Sequence, residues 1–588
     1  MAARPRRALR QPIAVASTSA ASSDDFFDLS SEDDSSDDVE ASDSSSDDDT
    51  PDQTPQTSTS TTRVSTTYGK DVLPNAARRM RFSPTRQPGA HVAAALRSDV
   101  RRFSRALDFF LLFFTTEVIQ KLCDNTNKYA WMHILDRQTY ARRDGSWEEV
   151  MPLEMLRFIG LILYMGVVDV PRLHMYWRTT GIFSGLLPPN IMKRDRFFAL
   201  LSFLSVGDPE DLAAAASDGK TWRVSWLLRH INLQSRSLFQ PRRNLAVDER
   251  MVKSKARSGI RQYIRDKVTK FGYKLWVLAD SNTGYTINFF VYTGKREVPG
   301  PHGLAFDVVT RLCTEYLHQG YKIFMDNFYT SAKLFEHLLE HKTLACGTTR
   351  KDRRGFPKEL KDATWERRAQ RGDVRWIREG NILFMQWKDR RSVCLMSTMH
   401  TANKHVVAKR REKRGGQWVV NTINKPLLVH DYNTGMLGVD KSDQIIATYN
   451  VLRKCVRWWK TLFFHAVDIA CVNSFILFQE HQKDNPNVEE LFRNRNFDQL
   501  AFREELIQQI FQYDEVSQGH APFSPPFSPL DPVRHQPKRM EKRRNCKLCY
   551  EKTKTQNRTN VFCSTCKIYL CFLPSRDCFA EWHSRRSQ

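Results

Sequence analysis

The spacing of hydrophobic positions changes along the chain. From Arg101 to about Arg243 apolar residues recur at roughly helical spacing, in segments such as FFLLFFTTEVIQKLCDNTNKYA and LEMLRFIGLILYMGV. From Asn244 the pattern changes to short runs rich in β-branched and aromatic residues: LAVDERMV, YKLWVLADSNTGYTINFFVYTG and YKIFMDNFY. A helical stretch, AFDVVTRLCTEYLHQG, separates the second run from the third. Alternating strands and helices predict an α/β core.

The regions on either side of these strands differ in composition and in hydrophobic pattern. After Arg350 short strands separated by basic loops predict a β-rich insertion, and a long helical pattern returns after DYNTGMLGVDKSDQ. SPPFSPLDP, at residues 524–532, marks a linker. Residues 1–100 are dominated by Ser, Asp, Thr and Pro, the composition of a disordered region. The chain is therefore predicted to be a multidomain α/β protein.

The charge is unevenly distributed along the chain. The formal net charge is +24, but residues 24–52 contain 14 acidic side chains and no Lys or Arg, so the remainder carries +38. Such a basic body predicts a polyanionic partner. The acidic block resembles the target sites of acidic-directed kinases. It fits either a DNA-mimicking tail that competes for the basic body or a plain solubilising tail.

Two observations limit the cellular compartment. The apolar stretches Leu107 to Phe114 and Met155 to Val168 are too short to span a bilayer, and the N-terminus lacks the apolar region of a signal peptide. Six of the twelve cysteines lie between Cys546 and Cys578, which is typical of an intracellular metal module rather than a secreted disulfide scaffold. With the basic charge, these features predict a nuclear protein that does not bind membranes.

Three distant segments place aspartates in apolar or turn-forming surroundings. Asp248 and Asp326 end predicted buried strands, and Asp440 and Asp443 follow a glycine-containing turn into a helix. Each one alone is explained as well by a turn or a helix cap. If they converge, their mutual repulsion calls for a divalent cation, and carboxylates suit Mg²⁺ or Mn²⁺. That arrangement would be typical of two-metal phosphoryl transfer.

The C-terminal cysteines predict a zinc module. CKLC is followed after thirteen residues by CSTC, and each pair can place two thiolates on one tetrahedral ion. A disulfide cluster is the weaker alternative inside a cell. The candidate ligands number seven, although two tetrahedral sites need eight: Cys546, Cys549, Cys563, Cys566, Cys571, Cys578 and His583.

These segments, in this order, resemble the piggyBac family of DDE transposases from about residue 105 to the end. The resemblance rests on DNTNKYA, AVDERM, KFGYKLWVLADSNTGY, GYKIFMDNFYTS, ACGTTRKDRRGFP, DYNTGMLGVDKSDQ and the cysteine cluster. It implies an RNase H-like core with Asp248 on its first strand, Asp326 on its fourth, and Asp440 beside Asp443. Asp248, Asp326 and Asp440 are the implied Mg²⁺ ligands, with Asp248 bridging both ions, and Asp443 joins them as a catalytic residue.

The resemblance also implies how the domains are arranged. An RNase H-like core is interrupted by the β-rich insertion and flanked by a helical dimerisation and DNA-binding domain. A cross-brace zinc domain ends the chain. The predicted boundaries are 1–100 for the disordered region, 101–243 and 450–523 for the helical domain, 244–352 and 425–449 for the core, 353–424 for the insertion, 524–545 for the linker and 546–588 for the zinc domain.

In the cross-brace implied by the family, two zinc ions take alternating ligand pairs. Alternation assigns Cys546, Cys549 and Cys571 to one ion, with a fourth ligand left to Asp577 or to another residue. The second ion would take the remaining candidates, Cys563, Cys566, Cys578 and His583.

Basic residues around the core are candidate DNA contacts. They would neutralise phosphates and add salt dependence rather than sequence specificity, although a run of charge is more often a solvated face. The basic run from Arg534 to Lys547 is a candidate for nuclear localisation, for gripping transposon ends, or for both. The candidate contacts in the body of the chain are Arg350, Lys351, Arg353, Arg354, Lys409, Arg410, Arg411, Arg457 and Lys460.

Together these features predict a homodimeric cut-and-paste DNA transposase. The resemblance implies nicking at the transposon ends, hairpin intermediates and integration at TTAA targets. The main alternative is a domesticated relative that binds DNA or chromatin without cutting it, and a zinc-containing ubiquitin ligase is a third reading. Intact Asp248, Asp326, Asp440 and Asp443 favour the first.

Overall fold

A nine-stranded sheet forms the centre of the fold in the computed structural model. Eight strands follow one another in the order β4-β5-β3-β7-β8-β11-β10-β9, and β6 pairs with β5 beside β4. The strands of this sheet are β3 (Asn244–Lys253), β4 (Gln262–Tyr263), β5 (Phe271–Asp280), β6 (Thr286–Val291), β7 (Lys322–Met325), β8 (Leu344–Thr348), β9 (Val374–Glu379), β10 (Ile382–Lys388) and β11 (Ser392–Ser397).

The structure describes most, but not all, of the chain. The predicted acidic tail and the linker near residues 524–532 lie outside the described part. The described residues are 70–92, 103–134, 147–265, 267–294, 300–414, 416–512, 537–563, 566–573 and 576–584.

The centre of the sheet is parallel and its flanks are antiparallel. Strand β3 pairs in parallel with β7, which pairs in parallel with β8. On the other side β3 pairs antiparallel with β5, which pairs antiparallel with β6. A parallel pair requires a crossover connection, and a helix crosses over before β7 and before β8. The α/β character predicted from the sequence is therefore observed.

Strand formation follows from the apolar character of the segments. Nearly every residue of β5 from Gly272 onward is buried, because helices and neighbouring strands cover both of its faces. Strand β3 is continuously buried only over Leu245–Val247, and Asp248 and Glu249 follow as half-buried residues. The polar residues therefore begin where the adjacent strand β7 comes to its end.

The region predicted as a β-rich insertion contributes strands to two different sheets. Strand β11 pairs antiparallel with β8 through Leu395–Ser397, so β9, β10 and β11 extend the central sheet. The predicted insertion, 353–424, is β-rich as expected, and its boundaries stay a prediction. The remaining strands form smaller sheets: β1 (Gly89–Ala90) with β2 (Phe239–Gln240), β12 (His405–Arg414) with β13 (Gln417–Pro426), and β14 (Pro537–Asn545), β15 (Arg558–Cys563) and β16 (Ile568–Tyr569) together.

Helices surround the sheet and form a second layer around residues 106–238 and 458–512. Their buried aliphatic and aromatic side chains share one continuous core with the sheet. The α-helices are α1 (Asn75–Arg78), α2 (Ala106–Leu111), α3 (Thr116–His133), α4 (Pro152–Val167), α5 (Pro188–Ile191), α6 (Arg194–Phe203), α7 (Leu212–Asp218), α8 (Trp222–Leu238), α9 (Leu304–Cys313), α10 (Ala332–Glu340), α11 (Ala363–Arg368), α12 (Leu427–Gly435), α13 (Leu437–Thr448), α14 (Trp458–Asp484), α15 (Gln499–Gln512), α16 (Lys547–Thr553) and α17 (Cys578–Ser584).

Helix α14 runs through the middle of the helical layer. It has 27 residues and is long and apolar enough to cross a bilayer, but its most apolar window is entirely buried in the protein. It packs against α2, α8 and α15. Asp468 of α14 and Arg503 of α15 are fully buried and lie 3.6 Å apart. The helix is therefore the centre of a protein core.

Candidate active site

Asp248 and Asp326 occupy equivalent positions on adjacent parallel strands. The last register pair between β3 and β7 is Val247 with Met325, and the two aspartates are the next residues on each chain. Alternation along each strand places them on the same face as Ala246 and Phe324, which are also register partners. Two segments 78 residues apart in sequence therefore bring their carboxylates to one edge of the parallel sheet.

The segment GMLG places Asp440 over the same face. A Cβ added at Gly435 would overlap the ring of Phe324 on β7, and one added at Gly438 would lie 3.0 Å from the Cβ of Ala246 on β3. The junction between α12 and α13 therefore lies directly on this register pair, and only glycine allows so close an approach. Asp440 follows in the first turn of α13.

Helix α13 continues along β3 beyond that junction. Asp443 accepts a hydrogen bond from Nε of Arg250 at 2.5 Å, and the side chain of Arg250 is only 3 % exposed. Arg250 also donates to Oγ of Ser442 at 2.8 Å. Asp440 lies between Gly438 and Asp443 on the helix, and Asp248 lies between Ala246 and Arg250 on the strand, so both residues belong to the segments that pack together. Asp440 itself is exposed, whereas Asp248 is half-buried.

Asp443 therefore has a defined partner of its own. Burial raises the pKa of its carboxyl, and the charge of Arg250 opposes that rise. Its ion pair holds α13 against β3 two positions beyond Asp248. The predicted catalytic role of Asp443 stays a prediction, and the structure pairs this carboxylate with Arg250.

The loop bearing Asp326 is fixed by its own backbone. Oδ1 of Asp326 accepts a hydrogen bond from the amide of Phe328 at 2.9 Å. Its carbonyl accepts from the amide and the hydroxyl of Thr330. A Cβ at Gly347 of β8 would overlap Oγ1 of Thr330, so the DNFYT turn packs directly on the neighbouring strand. The turn thus orients the second aspartate with hydrogen bonds that do not depend on a ligand.

Lys267 connects the carboxylates electrostatically. It lies between β4 and β5, and its Nζ is 3.6 Å from Oε2 of Glu249. Burial of the ammonium lowers its pKa, but the charges of Asp248, Glu249, Asp326 and Asp440 outweigh burial and raise it. The ammonium group of Lys267 therefore interacts electrostatically with three aspartates from three distant segments, and with Glu249.

The carboxyl groups of Asp248 and Asp326 are difficult to ionise because they are largely removed from water. Burial raises the pKa of Asp248 to about 7, with further contributions from the charges of Asp326 and Glu249. Burial also raises the pKa of Asp326, and Glu249 is its largest charged contributor. Oxygen ligands that repel one another in a half-buried site are the donor set that Mg²⁺ or Mn²⁺ prefers. The residues present therefore fit a hard divalent cation.

Two other acidic residues near the site, Asp280 and Glu249, have structural contacts of their own. Oδ1 of Asp280 accepts hydrogen bonds from the amides of Asn282 and Thr283 in the hairpin turn. Glu249 forms ion pairs with Lys267 and Lys274. The charge of Glu249 also raises the pKa of Asp326.

The C-terminal module contains a cluster of four cysteines, whose sulfur ligands differ chemically from the carboxylates of the sheet. The sulfurs of Cys546, Cys549, Cys571 and Cys578 lie within 4.8 Å of one another, and all four residues are buried. Sγ of Cys549 lies 3.5 Å from Sγ of Cys578 and 3.9 Å from Sγ of Cys571. Four thiolates bound tetrahedrally to zinc at about 2.3 Å would lie about 3.8 Å apart. The cluster therefore fits one Zn²⁺.

This cluster corrects the predicted division of the zinc ligands. Alternation assigned Cys578 to the second ion and left the first without a fourth ligand, but Cys578 completes the first set. The physical reason is the start of α17, where the amide of Phe579 bonds the carbonyl of Cys571 and brings Cys578 back to the cluster. Cys563 and Cys566 lie apart from it, and the amide of Cys566 donates to Sγ of Cys563. The side chain of His583 lies outside the described residues.

One predicted DNA contact, Lys460, has a structural function instead. Lys460 is only 6 % exposed and donates to the carbonyls of Leu201 and Ser202, so the prediction that it contacts DNA is wrong. It points into the core because it lies on the buried face of α14 near its start. Arg457 is half-buried over the ring of Tyr129.

The basic segment after β8 is partly used to hold the site. Arg353 donates to the carbonyls of Asn327 and Phe328, which directly follow Asp326. Lys351 pairs with Glu366, and Arg350 lies 3.7 Å from Asp352. Arg354 and Lys409 are exposed and stay predicted contacts, and the side chains of Arg410 and Arg411 lie outside the described residues.

Sequence reasoning missed Lys267 and the anchoring function of Arg353. Lys267 lies in the polar stretch RDKVTK, which has no hydrophobic periodicity to mark it. The sequence pattern marks Arg353 only as one basic residue in a charged run. Their importance lies in contacts with residues far away in sequence, and no local pattern contains that information.

Comparison with known proteins identifies the class. Residues 105–475, more than half of the chain, match the family model described as Transposase IS4. The chain therefore belongs to this transposase family, and its relatives are of the piggyBac type.

The relatives are distant in sequence. PiggyBac transposable element-derived protein 3 of Homo sapiens is 26 % identical over 385 residues, covering 64 % of this chain and 63 % of that protein. PiggyBac transposable element-derived protein 2 of Homo sapiens is 25 % identical over 451 residues, covering 75 % of this chain and 72 % of that protein. The match thus spans less than two thirds of the first relative.

A solved structure shares the fold. The cryo-EM structure of a piggyBac transposase synaptic complex with hairpin DNA has a TM-score of 0.60 and 22 % sequence identity. The match covers 83 % of this chain and 98 % of that chain. The likeness therefore extends beyond the sheet to most of the molecule.

Proposed function

We propose that this protein is a cut-and-paste DNA transposase that cleaves and joins strands by metal-assisted phosphoryl transfer. The observation that carries the proposal is the register of β3 and β7, which sets Asp248 beside Asp326, with the helix of Asp440 seated on the same face. Three carboxylates from remote segments on one sheet face have no evident structural use. They suit a site for divalent ions and a phosphodiester.

The protein's own residues supply position and charge. Asp248, Asp326 and Asp440 would hold Mg²⁺ or Mn²⁺, which when bound would activate an attacking oxygen and stabilise the leaving one. The DNFYT turn and the Arg250–Asp443 pair hold these carboxylates in place without the ions. Lys267 balances their charge. No nucleophilic Ser or Cys is required, because water and then a DNA 3′-hydroxyl attack the phosphorus.

The finer features of the reaction follow from the family. We propose that the core is RNase H-like, since Asp248 lies on its first strand and Asp326 follows its fourth, adjacent strand (β3 and β7, with β5 and β6 between them in sequence). The proposed reaction nicks transposon ends, passes through hairpins and integrates at TTAA. The structural neighbour was solved as a synaptic complex with hairpin DNA, which supports DNA as the substrate. We further propose that the protein acts as a homodimer in the nucleus.

An excision assay tests the function. A plasmid marker flanked by the cognate terminal repeats is mobilised by the unsubstituted protein, by Asp326→Asn and by Asp195→Asn. Asp195 is a matched control because its side chain is 87 % exposed, and its ion-pair partner is the adjacent residue Arg194. We expect excision to fall to background with Asp326→Asn and to stay unchanged with Asp195→Asn.

The two alternatives give different results. Absence of excision by the unsubstituted protein, with DNA binding retained, would favour a domesticated protein that binds DNA or chromatin without cutting it. Excision that survives Asp326→Asn would contradict the site assignment while leaving the activity intact. A gel-shift assay with the same terminal repeats distinguishes lost catalysis from lost binding.

A further inference from the structure

Four histidines gather around the last turn of α10, a region that the proposed reaction does not use. His337 and His341 are one helical turn apart, with ring centroids separated by 4.2 Å. His318 reaches the ring of His341 at 5.1 Å from the loop before β7. His302 packs on Phe306, which in turn contacts His337 at 5.0 Å. Three separate segments thus contribute imidazoles to one place.

The sequence of this turn, HLLEH, sets three donors at metal-binding distance. One ligand atom each from His337, Glu340 and His341 lies within 4.8 Å of the others. Spacings of three and four residues place all three side chains on one side of the helix. Two imidazoles and one carboxylate form a ligand set that leaves a position open on a tetrahedral ion.

The hydrogen bonds leave the imidazole lone pairs available. Nδ1 of His341 lies 2.8 Å from the carbonyl of His337, and a carbonyl can only accept, so Nδ1 carries the proton and Nε2 keeps its lone pair. A bond from the second ring nitrogen to a backbone carbonyl is the usual way in which proteins orient a metal-binding histidine. Nε2 of His337 is buried and has no hydrogen-bond partner among the described residues.

The surroundings also favour a cation. The carbonyl groups at the C-terminal end of a helix carry partial negative charge, and the donors lie at that end of α10. The amide of His318 donates to the carbonyl of His341 at 2.7 Å, which fixes the loop against the helix. His341 is therefore held by backbone contacts before any ion binds.

We propose that His337, Glu340 and His341 form a binding site for one transition-metal ion of the zinc class, with its open position toward His318. Imidazole nitrogens with a single carboxylate favour Zn²⁺, Co²⁺ or Ni²⁺ over Mg²⁺. The site lies about 13 Å along α10 from the DNFYT turn, at the opposite end of the helix. It is distinct from both the aspartate centre and the cysteine cluster.

Metal counting on the full-length protein tests this site. The protein is dialysed against micromolar Zn²⁺, and bound zinc is measured by mass spectrometry for the unsubstituted chain and for His337→Gln, His341→Gln and His133→Gln. His133 is the matched control, because its Nδ1 also contacts the carbonyl four residues earlier, at 3.1 Å. We expect the His337 and His341 variants to hold one zinc fewer per chain and His133→Gln to match the unsubstituted protein.

Cobalt spectroscopy separates this site from the cysteines. Co²⁺ bound by thiolates gives an intense sulfur-to-metal charge-transfer band, whereas Co²⁺ at a site of nitrogen and oxygen ligands gives only weak ligand-field bands. We expect the second, weaker spectrum to disappear in His341→Gln, and Glu340→Gln to lower the affinity at least tenfold. Circular dichroism in the presence of chelator confirms that the variants fold. Equal zinc content and equal spectra in all folded variants would overturn the site.

Discussion

The aspartate centre and the cysteine cluster are built in opposite ways. The aspartates are positioned by the register between β3 and β7 and by close contacts at Gly435 and Gly438. The side chains of the proposed metal ligands take no part in these contacts. In the C-terminal module five of the nine buried apolar residues are the cysteines Cys546, Cys549, Cys563, Cys571 and Cys578. The module's core is thus largely its own ligand set. We infer that metal binds to a preformed site in the first case and completes the fold in the second.

Removal of zinc should give the largest effect. We expect a strong chelator to unfold residues 537–584 while the central sheet stays folded, because zinc supplies about 10 kcal/mol or more to small domains of this kind. Hydrogen exchange should show lost protection in β15 and α16 and unchanged protection in β3 and β7. Cys549→Ser should reproduce the chelator effect, and Cys455→Ser, a half-buried cysteine outside the cluster, should not. Loss of protection in β3 would contradict the comparison.

Crowding the glycine contact should damage the aspartate centre through packing alone. Gly435→Ala places a methyl group against the ring of Phe324 and should lower the free energy of unfolding by about 1–3 kcal/mol. Excision should fall as well, since α13 and Asp440 shift away from β3. Gly259→Ala is the control, because no heavy atom lies near its added Cβ. Chemical denaturation measures both, and equal stability of the two variants would refute the tight seating of α12.

Neutralising one aspartate should stabilise the metal-free protein while abolishing activity. Burial raises the pKa of Asp248 from 3.8 to about 7, so between these values the folded state binds more protons than the unfolded state. This group's contribution to stability is therefore full below pH 3.8 and is lost as pH rises through 7. We expect Asp248→Asn to raise the unfolding free energy at pH 8 by about 1–3 kcal/mol and to flatten its pH dependence. Thermal melts in chelator at several pH values measure this, and a destabilised variant would contradict the assigned burial.

The smallest effect concerns Lys267. Its ammonium competes with a divalent ion for the same carboxylates, so Lys267→Gln should tighten Mn²⁺ binding about three- to tenfold. Lys270→Gln, an exposed lysine three residues further on, is the control. Calorimetric titration with Mn²⁺ measures the affinity. Weaker binding by Lys267→Gln would show that the lysine supports the site rather than competing for it.

The difference between the aspartate centre and the cysteine cluster also explains which features the sequence could predict. Apolar runs ending in Asp248 and Asp326 marked the strands, and resemblance to a known family linked them to Asp440. The structure places all three segments on one face of the sheet. What joins them, Gly435 on Phe324 and Arg250 on Asp443, depends on side-chain contacts across 100 residues or more.

Other predictions failed where the outcome depends on three-dimensional context. Ligand spacing alone could not place Cys578, because the turn into α17 decides which cluster it reaches. Lys460 is a charged residue in a basic stretch, and only the packing of α14 shows that it is buried. Nothing in the pattern of the strands at 374–397 indicates that they extend the central sheet through the edge of β8.

The central claim is that Asp248, Asp326 and Asp440 converge on shared divalent ions. Crystals grown with Mn²⁺ and measured for anomalous scattering test it most directly. We expect an anomalous peak with carboxylate oxygens of Asp248 and Asp326 about 2 Å away and Asp440 completing the coordination. A structure in which Mn²⁺ binds elsewhere, with these three carboxylates directed apart, would contradict it.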